Sequence, residues 1–170
     1  MDTETAYHRS PIGILEIRSE KDTISSVLFI NSSKGTQIDE ELISFDPPSS
    51  LIIKECIGQL EQYFSGERKV FSINTIQTGT EFQQEVWKEL LNIPFGKTIS
   101  YMELSKRLKN TKAIRAIGAA NGNNSIAIIV PCHRVIGSNG DLVGYAGDLW
   151  RKQWLLEHEG KLENGIQMLF

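Results

Sequence analysis

The spacing of apolar residues changes from strand-like to helix-like along the chain, and this change limits the folds that the chain can adopt. In the first half, Leu15 and Ile17 alternate with charged neighbours, and residues 24–30 form a second run rich in β-forming side chains. Turn-forming stretches flank the first run, at residues 10–13 and 20–22. The sequence therefore predicts a small antiparallel sheet near the N-terminus.

A helix is predicted to follow this sheet, after the chain break at residues 46–48. Gly66 is expected to end it, and its apolar residues recur at helical spacing: Leu51, Ile52, Cys56, Leu60, Tyr63 and Phe64. Because Cys56 lies on this apolar stripe, we interpret it as a core residue. Residues 68–79 are expected to form a strand and a linker, so that a first domain spans residues 1–79 and a second spans residues 80–170.

Capping boxes mark the starts of two helices in the second domain. In each box a hydroxyl and a longer polar side chain bond free backbone N–H groups. The first box, Thr80 to Gln83, begins a helix whose apolar face is expected to hold Phe82, Val86, Leu90 and Leu91. The second box, Ser100 to Glu103, begins a short helix that is expected to end near Leu108.

A third helix is predicted from Lys112 to Asn121, capped by Thr111 and stopped by Gly122. Because only a short turn separates it from the helix before it, the two form a predicted helix-turn-helix unit. The net charge of the chain is −3, yet residues 97–115 hold six basic residues and one acid. Local charge steers a polyanion to a site, but on charge alone a solvated basic face is the preferred interpretation.

Cys132 is the residue on which candidate chemistry centres. Residues 126–130 are predicted to be a buried strand, and Pro131 holds the preceding residue extended, so Cys132 lies at a change of backbone direction. A thiol is only slightly ionised at neutral pH, and an adjacent imidazole, here His133, increases the thiolate fraction. The candidate acids that orient this imidazole are Asp141, Asp148, Glu157 and Glu159. A turn is predicted at residues 137–141, and Asp148 is expected to cap a last helix that runs to Gly160.

The rest of the composition excludes several classes of protein. The longest apolar run, residues 126–130, is too short to cross a bilayer, and residues 1–10 lack the pattern of a secretory signal. Two distant cysteines and three scattered histidines make neither a disulfide framework nor a zinc site. We therefore expect an intracellular protein without a metal and without a membrane partner.

The string Pro131-Cys132-His133-Arg134-Val135 resembles the active-site motif of the O6-alkylguanine-DNA alkyltransferase family. Other matching segments lie in the family's order and at its spacing: Phe82-Gln83, Val86-Trp87, Phe95-Gly96, Ser100-Tyr101, Ala116-Ile117-Gly118-Ala119, Gly144-Tyr145 and residues 154–160. The match is strong over residues 80–160 and loose over residues 1–79. The resemblance implies an α+β fold, with an RNase H-like N-terminal sheet and helix and a mostly helical, winged-helix-like C-terminal domain.

The resemblance implies that Cys132 takes an alkyl group from O6-alkylguanine in DNA, and from O4-methylthymine, in a single-use SN2 reaction without a cofactor. His133 corresponds to the family's general base, which reaches the thiol through a water molecule, and Glu159 to the acid that orients it. Tyr101 corresponds to the tyrosine whose hydroxyl serves guanine N3 as the leaving group departs. Asn124 corresponds to the asparagine that joins the helix-turn-helix to the active-site loop.

The resemblance also implies how the damaged base leaves the duplex. Arg115 corresponds to the arginine that enters the base stack, on a helix that binds the minor groove through small and basic residues: Lys112, Ala116, Gly118 and Ala119. Tyr145 corresponds to the aromatic wall of the base pocket, and backbone groups of Val135 and Ala146 to its guanine edge. The expected protein is a monomer that acts on double-stranded DNA with alkylated bases, in the cytoplasm of a prokaryote or the nucleus of a eukaryote.

Three residues depart from the family's usual pattern. Asn123 and Ser125 stand where a basic residue or glycine and a proline are common, and Asp148 replaces a glycine after Tyr145. These differences concern the size of the alkyl group that is accepted rather than the reaction.

Three alternatives use only part of this pattern. A lesion-binding relative that does not repair DNA has another residue in place of the nucleophile, whereas this chain has Cys132. A winged-helix regulator would give Cys132, His133 and Glu159 no task. A cysteine hydrolase needs an oxyanion hole and an acyl-binding cleft, for which the sequence has no signature. DNA repair by alkyl transfer is therefore the preferred interpretation, with the lesion-binding protein as the alternative.

Overall fold

The computed structural model describes residues 2–164, and the chain divides into two compact units between Gln77 and Thr78. The first unit contains a three-stranded antiparallel sheet of β1 (Thr3–Ser10), β2 (Gly13–Glu20) and β3 (Thr23–Phe29), in that order. Ser10 pairs with Gly13 and Glu20 with Thr23, so two-residue turns join the strands. The predicted antiparallel sheet is confirmed.

One α-helix, α1 (Leu51–Ser65), packs on this sheet after a short 3-10 turn at Glu40–Leu42. The Ser50 hydroxyl accepts a hydrogen bond from the Ile53 amide at its start, and Gly66 ends it with a φ of 88°. Gly66 therefore has the predicted role. The core of the unit combines buried residues of β2, β3 and α1: Leu15, Ile17, Ile24, Val27, Phe29, Ile53, Cys56, Leu60 and Tyr63.

The structure changes two expectations for this unit. Leu51, predicted to lie on the apolar stripe of α1, is exposed, and Ile53 lies in the core instead. The strand predicted in residues 68–79 is absent from the described chain, which forms one isolated bridge there, between Thr75 and Ile24. The backbone of Ile24 bonds the residues on either side of Thr75, and pairing stops there. Cys56 is fully buried, as expected of a core residue, and burial raises the pKa of its thiol to about 12.

The second unit is mostly helical. Its helices are α2 (Glu81–Leu90), α3 (Tyr101–Arg107), α4 (Ile114–Gly122) and α5 (Leu149–Asn164), and β4 (Ile99–Ser100) pairs in parallel with β5 (Val135–Ile136). Both hydrogen bonds of the Thr80–Gln83 capping box are present, and the Ser100 hydroxyl accepts from the Glu103 amide. The mixed α+β class predicted from the sequence is therefore confirmed. Among the helices described, none is long and apolar enough to span a membrane.

Three helix details differ from the predictions. Helix α4 begins at Ile114 without a side-chain cap, because the Ala113 amide bonds the Asn110 carbonyl and extends the turn past Thr111. Leu91 lies exposed beyond α2, and Trp87 takes the buried place, where its indole N–H donates to the Ala120 carbonyl at 2.8 Å. Helix α5 continues beyond Gly160, since one glycine costs a helix only about 1 kcal/mol.

Candidate active site

A buried loop between α4 and β5 carries Cys132, and the Asn124 side chain shapes this loop. Asn124 Nδ2 donates to the carbonyls of Ile126 at 3.2 Å and Val130 at 2.8 Å, and its Oδ1 accepts from the Ile126 amide at 3.1 Å. Residues 126–130 are buried, but Ile126 makes a single bridge and residues 127–129 form a turn, with a φ of 72° at Ile128. The strand predicted here is wrong, because one carboxamide supplies the hydrogen bonds that a neighbouring strand would otherwise supply.

Cys132 begins a single 3-10 turn, Cys132–Arg134, that leads into β5. Cys132 is only 4% exposed, and neither Cys132 nor Cys56 forms a disulfide. The Cys132 amide donates to the Val130 carbonyl at 2.8 Å, and the Cys132 carbonyl accepts from Asn121 Nδ2 at 3.3 Å. Hydrogen bonds to the neighbouring loop and to α4 therefore fix the backbone that carries the sulfur.

His133 and Glu159 form a buried pair next to Cys132. His133 Nε2 lies 2.7 Å from Glu159 Oε2, and Glu159 is 1% exposed. Of the four acids considered from the sequence, Glu159 is the one that contacts the imidazole. The other three bond elsewhere: Asp141 to Asn139, Asp148 to Arg151 and Glu157 to Gln153.

Burial and charge together fix the protonation of this pair. Burial acts to raise the pKa of Glu159, but the adjacent His133 and Arg134 outweigh it, so the pKa of this carboxyl lies well below its usual range. Burial lowers the pKa of His133, which keeps the imidazole neutral. A neutral imidazole beside a carboxylate carries its proton on the nitrogen that faces the carboxylate. His133 Nδ1 is then an acceptor, and among residues 2–164 this buried atom has no hydrogen-bond partner.

Arg134 and Gly96 hold Glu159 in place. Arg134 donates to Glu159 Oε1 from Nε at 2.8 Å and to Oε2 from a terminal nitrogen at 3.1 Å, and it also donates to the Ile93 carbonyl at 2.7 Å. The Gly96 amide donates to Glu159 Oε1 at 3.3 Å. Glu159, which orients the imidazole, is thus itself oriented by Arg134 and by the Gly96 amide. Both residues belong to segments that match the family.

Two tyrosines and one asparagine place further polar atoms near Cys132. The Tyr101 hydroxyl, at the start of α3, donates to the Val143 carbonyl at 3.2 Å and lies 3.5 Å from Asn121 Nδ2. Burial raises the pKa of Tyr101 and, more strongly, that of Tyr145, and the negative charge of Cys132 adds to both effects. The Tyr145 hydroxyl and Asn121 Oδ1 are also buried, and the described part of the chain offers them no hydrogen-bond partner. Such atoms are rare in folded proteins, so with His133 Nδ1 they are available to bind a ligand.

The structure adds two residues that sequence reasoning missed, Asn121 and Lys152. Asn121 lies on the inner face of α4 with Ile117, and Lys152 lies on the inner face of α5 with Leu155. The sequence does carry a signal for them, because each polar residue lies at helical spacing from apolar residues that are buried. Val135 and Ala146 are both buried, and the Val135 carbonyl accepts from Lys152 Nζ at 2.7 Å.

The candidate DNA-contacting residues lie on or beside α4. Four of them are exposed: Lys112, Arg115, Ala116 and Ala119. Gly118 is half-buried, and a Cβ added there would lie 3.9 Å from the Tyr101 ring, an ordinary contact. The outer surface of α4 thus combines one long cation with two methyl-sized side chains, which allows another backbone to approach closely.

A buried cysteine that is adjacent in sequence to an imidazole oriented by a carboxylate is the arrangement that transferases and hydrolases with a thiol nucleophile use. Two family models match the chain: "6-O-methylguanine DNA methyltransferase, DNA binding domain" over residues 81–161 and "6-O-methylguanine DNA methyltransferase, ribonuclease-like domain" over residues 4–76. The chain therefore belongs to the 6-O-methylguanine DNA methyltransferase family, as the resemblance implied.

Individual relatives agree with this assignment. The methylated-DNA--protein-cysteine methyltransferase of Methanosarcina acetivorans is 43% identical over 155 residues, which are 91% of this chain and 97% of the relative. The constitutive Bacillus subtilis protein of that name is 42% identical over 138 residues, 81% of this chain and 83% of the relative. A crystal structure of the Mycobacterium tuberculosis protein in complex with DNA matches with a TM-score of 0.81 at 39% identity and covers 93% of both chains.

Proposed function

We propose that this protein repairs DNA by moving a methyl or larger alkyl group from O6-alkylguanine to Cys132 in one irreversible step. The observation that carries the proposal is the buried pair of His133 and Glu159, which leaves His133 Nδ1 as an acceptor on the residue next to the cysteine. The substrate class is supported by the family and by relatives named methylated-DNA--protein-cysteine methyltransferases.

In this reaction His133 Nδ1 takes the thiol proton, through a water molecule, and the thiolate attacks the alkyl carbon in line with the C–O6 bond. A bond forms between sulfur and carbon while the carbon–oxygen bond breaks, and its electron pair stays with the guanine. The Tyr101 hydroxyl assists departure by hydrogen bonding at N3. Overall the thiol proton ends on the guanine and the alkyl group stays on Cys132 as a thioether. The sulfur is the final acceptor, so the reaction uses no cofactor and each molecule works once.

The base reaches the sulfur by leaving the duplex. In the proposed complex, α4 enters the minor groove and Arg115 fills the space in the base stack; the support is its exposed side chain among the small residues Ala116, Gly118 and Ala119, near Lys112. Tyr145 forms one wall of the base pocket, and backbone groups of Val135 and Ala146 face the guanine edge. Asn124 holds the loop that carries the cysteine. We further propose that O4-methylthymine is a second substrate and that the protein acts as a cytoplasmic monomer.

Intact-mass spectrometry tests the reaction. The protein is mixed with a duplex that contains one O6-methylguanine, and peptide mapping then locates any added methyl group. The expected result is one methyl group per protein, on Cys132, with none from an undamaged duplex. Cys132→Ala should bind the duplex without a mass change, whereas Cys56→Ala, a matched control at the other buried cysteine, should still react.

Three outcomes would overturn the proposal. Binding of the damaged duplex without methyl gain by the wild type would indicate a lesion-binding protein. More product molecules than protein molecules would indicate a hydrolase. Demethylation by Cys132→Ala at the normal rate would show that the nucleophile lies elsewhere.

A further inference from the structure

Asn121 on α4 has a buried polar atom to which the proposed reaction gives no task. The residue is 4% exposed, and its side-chain nitrogen donates to the Cys132 carbonyl at 3.3 Å. A carbonyl oxygen only accepts hydrogen bonds, so this contact fixes which end of the carboxamide faces Cys132 and leaves Oδ1 as the other end. Among residues 2–164, Oδ1 is buried without a hydrogen-bond partner. A buried acceptor without a donor costs free energy, so a ligand that brings a donor to Oδ1 binds more tightly.

The same carboxamide lies beside the hydroxyl that serves the substrate in the proposed reaction. Asn121 Nδ2 is 3.5 Å from the Tyr101 hydroxyl oxygen, with Tyr101 at the start of α3 and Asn121 near the end of α4. A hydrogen bond from Nδ2 occupies a lone pair of this oxygen and leaves the hydroxyl hydrogen to be donated. In the free protein that hydrogen goes to the Val143 carbonyl at 3.2 Å. Tyr101 thus supplies a donor, and the carboxamide next to it supplies an acceptor.

This pair of groups matches the minor-groove edge of guanine. On that edge guanine carries the N3 acceptor and, next to it, the N2 amino donor, whereas adenine and thymine carry an acceptor alone. In the proposed reaction Tyr101 donates to N3. The amino group beside N3 then needs an acceptor beside the Tyr101 hydroxyl, and the Asn121 carboxamide lies beside that hydroxyl.

The other buried atoms that lack a partner within residues 2–164 do not fit this task. His133 Nδ1 takes the thiol proton in the proposed reaction. The Tyr145 hydroxyl donates as well as accepts, so it does not distinguish an amino group from a carbonyl. Asn121 Oδ1 only accepts, so it favours a base that presents a donor and disfavours one that presents none.

We propose that Asn121 determines specificity by accepting, at Oδ1, a hydrogen bond from the N2 amino group of the extrahelical guanine. The inference rests on the proposed function, because Tyr101 donates to N3 in that reaction. Together the two side chains select O6-alkylguanine over O4-methylthymine, which lacks the amino group and reacts more slowly. A site that bonds a polar group of its substrate rejects an analogue without that group, because a buried atom of the site is left unpaired.

Removal of the amino group from the substrate tests the inference. Single-turnover rates of methyl transfer are measured with duplexes that contain O6-methylguanine, O4-methylthymine or O6-methylhypoxanthine, which is O6-methylguanine without its amino group. We expect the wild type to react about 5- to 100-fold more slowly with O6-methylhypoxanthine than with O6-methylguanine, because Oδ1 stays unpaired. In Asn121→Leu, which has a side chain of similar size without the acceptor, this ratio should be smaller by about 5-fold or more. The preference over O4-methylthymine should narrow in the same variant.

The matched control is Asn92→Leu, at an exposed asparagine of the same unit whose side chain bonds Glu89. This variant should keep the wild-type ratio. Differences between the duplexes in base pairing or in the strength of the leaving group are the same for every protein, so they cancel when ratios are compared. A ratio in Asn121→Leu equal to that of the wild type would overturn the proposal.

A second measurement depends neither on turnover nor on a change at Asn121. The Nδ2 and Cγ resonances of the Asn121 carboxamide are recorded by NMR in Cys132→Ala bound to the O6-methylguanine or the O6-methylhypoxanthine duplex. A hydrogen bond at Oδ1 should shift both resonances with the first duplex and not with the second; equal shifts, or none, would overturn the proposal. If the wild type gains no methyl group from any duplex, the proposed function fails instead, and this comparison still reports whether Asn121 contacts the amino group.

Discussion

Arg134 donates hydrogen bonds to both carboxylate oxygens of Glu159, to Oε1 at 2.8 Å and to Oε2 at 3.1 Å. Oε2 is also the oxygen that His133 bonds. A forked guanidinium holds a carboxylate more rigidly than a single donor does. The orientation of the imidazole therefore depends on Arg134, a residue that takes no part in the proposed chemistry.

Glu159→Gln keeps the shape of the side chain and removes its charge. Arg134 would then be buried without a counter-ion, so we expect the free energy of unfolding to fall by about 3 kcal/mol in urea titrations. Methyl transfer should also slow, because His133 loses the carboxylate that selects its tautomer. Glu157→Gln, on the same helix with a bond to Gln153, should change stability by no more than about 0.5 kcal/mol. Equal stability of the two variants would contradict this account of Glu159.

The contribution of Glu159 to stability should vanish in acid. Its folded pKa is depressed below the unfolded value of about 4.3, so the contribution is complete above that pH and is lost as pH falls through the folded pKa. The difference in unfolding free energy between the wild type and Glu159→Gln should be constant from pH 7 to about 5 and should shrink below about 4. Urea titrations at a series of pH values check the trend. A difference that grows on acidification would show that the sign is wrong.

Gly96→Ala should disturb the same carboxylate from the backbone side. Gly96 has a φ of 78°, and a Cβ there would lie 2.6 Å from Glu163 Cβ, so the amide that donates to Glu159 has to move. We expect a loss of about 2 kcal/mol in stability and slower transfer in single-turnover assays. Gly58→Ala provides the contrast, because a Cβ at this helical position meets nothing within 4 Å and should stabilise α1 by about 0.5–1 kcal/mol. Normal transfer by Gly96→Ala would show that its amide is not needed to hold the acid.

Asp148→Gly should stabilise the protein. Asp148 has a φ of 75°, a conformation that a glycine adopts without strain. We expect a gain of about 1 kcal/mol, less the small loss of the 3.4 Å ion pair with Arg151, measured as a rise in Tm. Asp148→Ala keeps a Cβ and should give no gain. If the alanine variant is stabilised as much as the glycine variant, backbone strain is not the cause.

Local signals predicted most of the fold. Alternation around Leu15 and Ile17 indicated the sheet, and the Thr80 capping box and Gly66 indicated helix ends, because each of these depends on residues close in sequence. The conformation of the loop before Cys132 could not be predicted from such local signals. Its apolar run is typical of a strand, whereas its shape comes from hydrogen bonds to the Asn124 side chain, which no periodicity records.

The candidate site divides in the same way. The Cys-His-Arg string marked the turn, and the family pattern indicated Glu159, which the fold brings to His133 across 26 positions of sequence. Asn121 and Lys152 escaped notice because a polar residue in a helix is normally on the surface. Their burial follows from packing against Cys132 and β5, which only the assembled unit defines.

Because the Glu159 carboxylate bonds both Arg134 and His133, folding of the second unit also orients the active-site imidazole. In any molecule in which Glu159 of α5 contacts Arg134 and Gly96, the His133 imidazole is also oriented. Folded molecules with a misoriented imidazole are therefore disfavoured. For a protein that is consumed by a single reaction, the number of lesions a cell can repair then equals the number of correctly folded copies it holds.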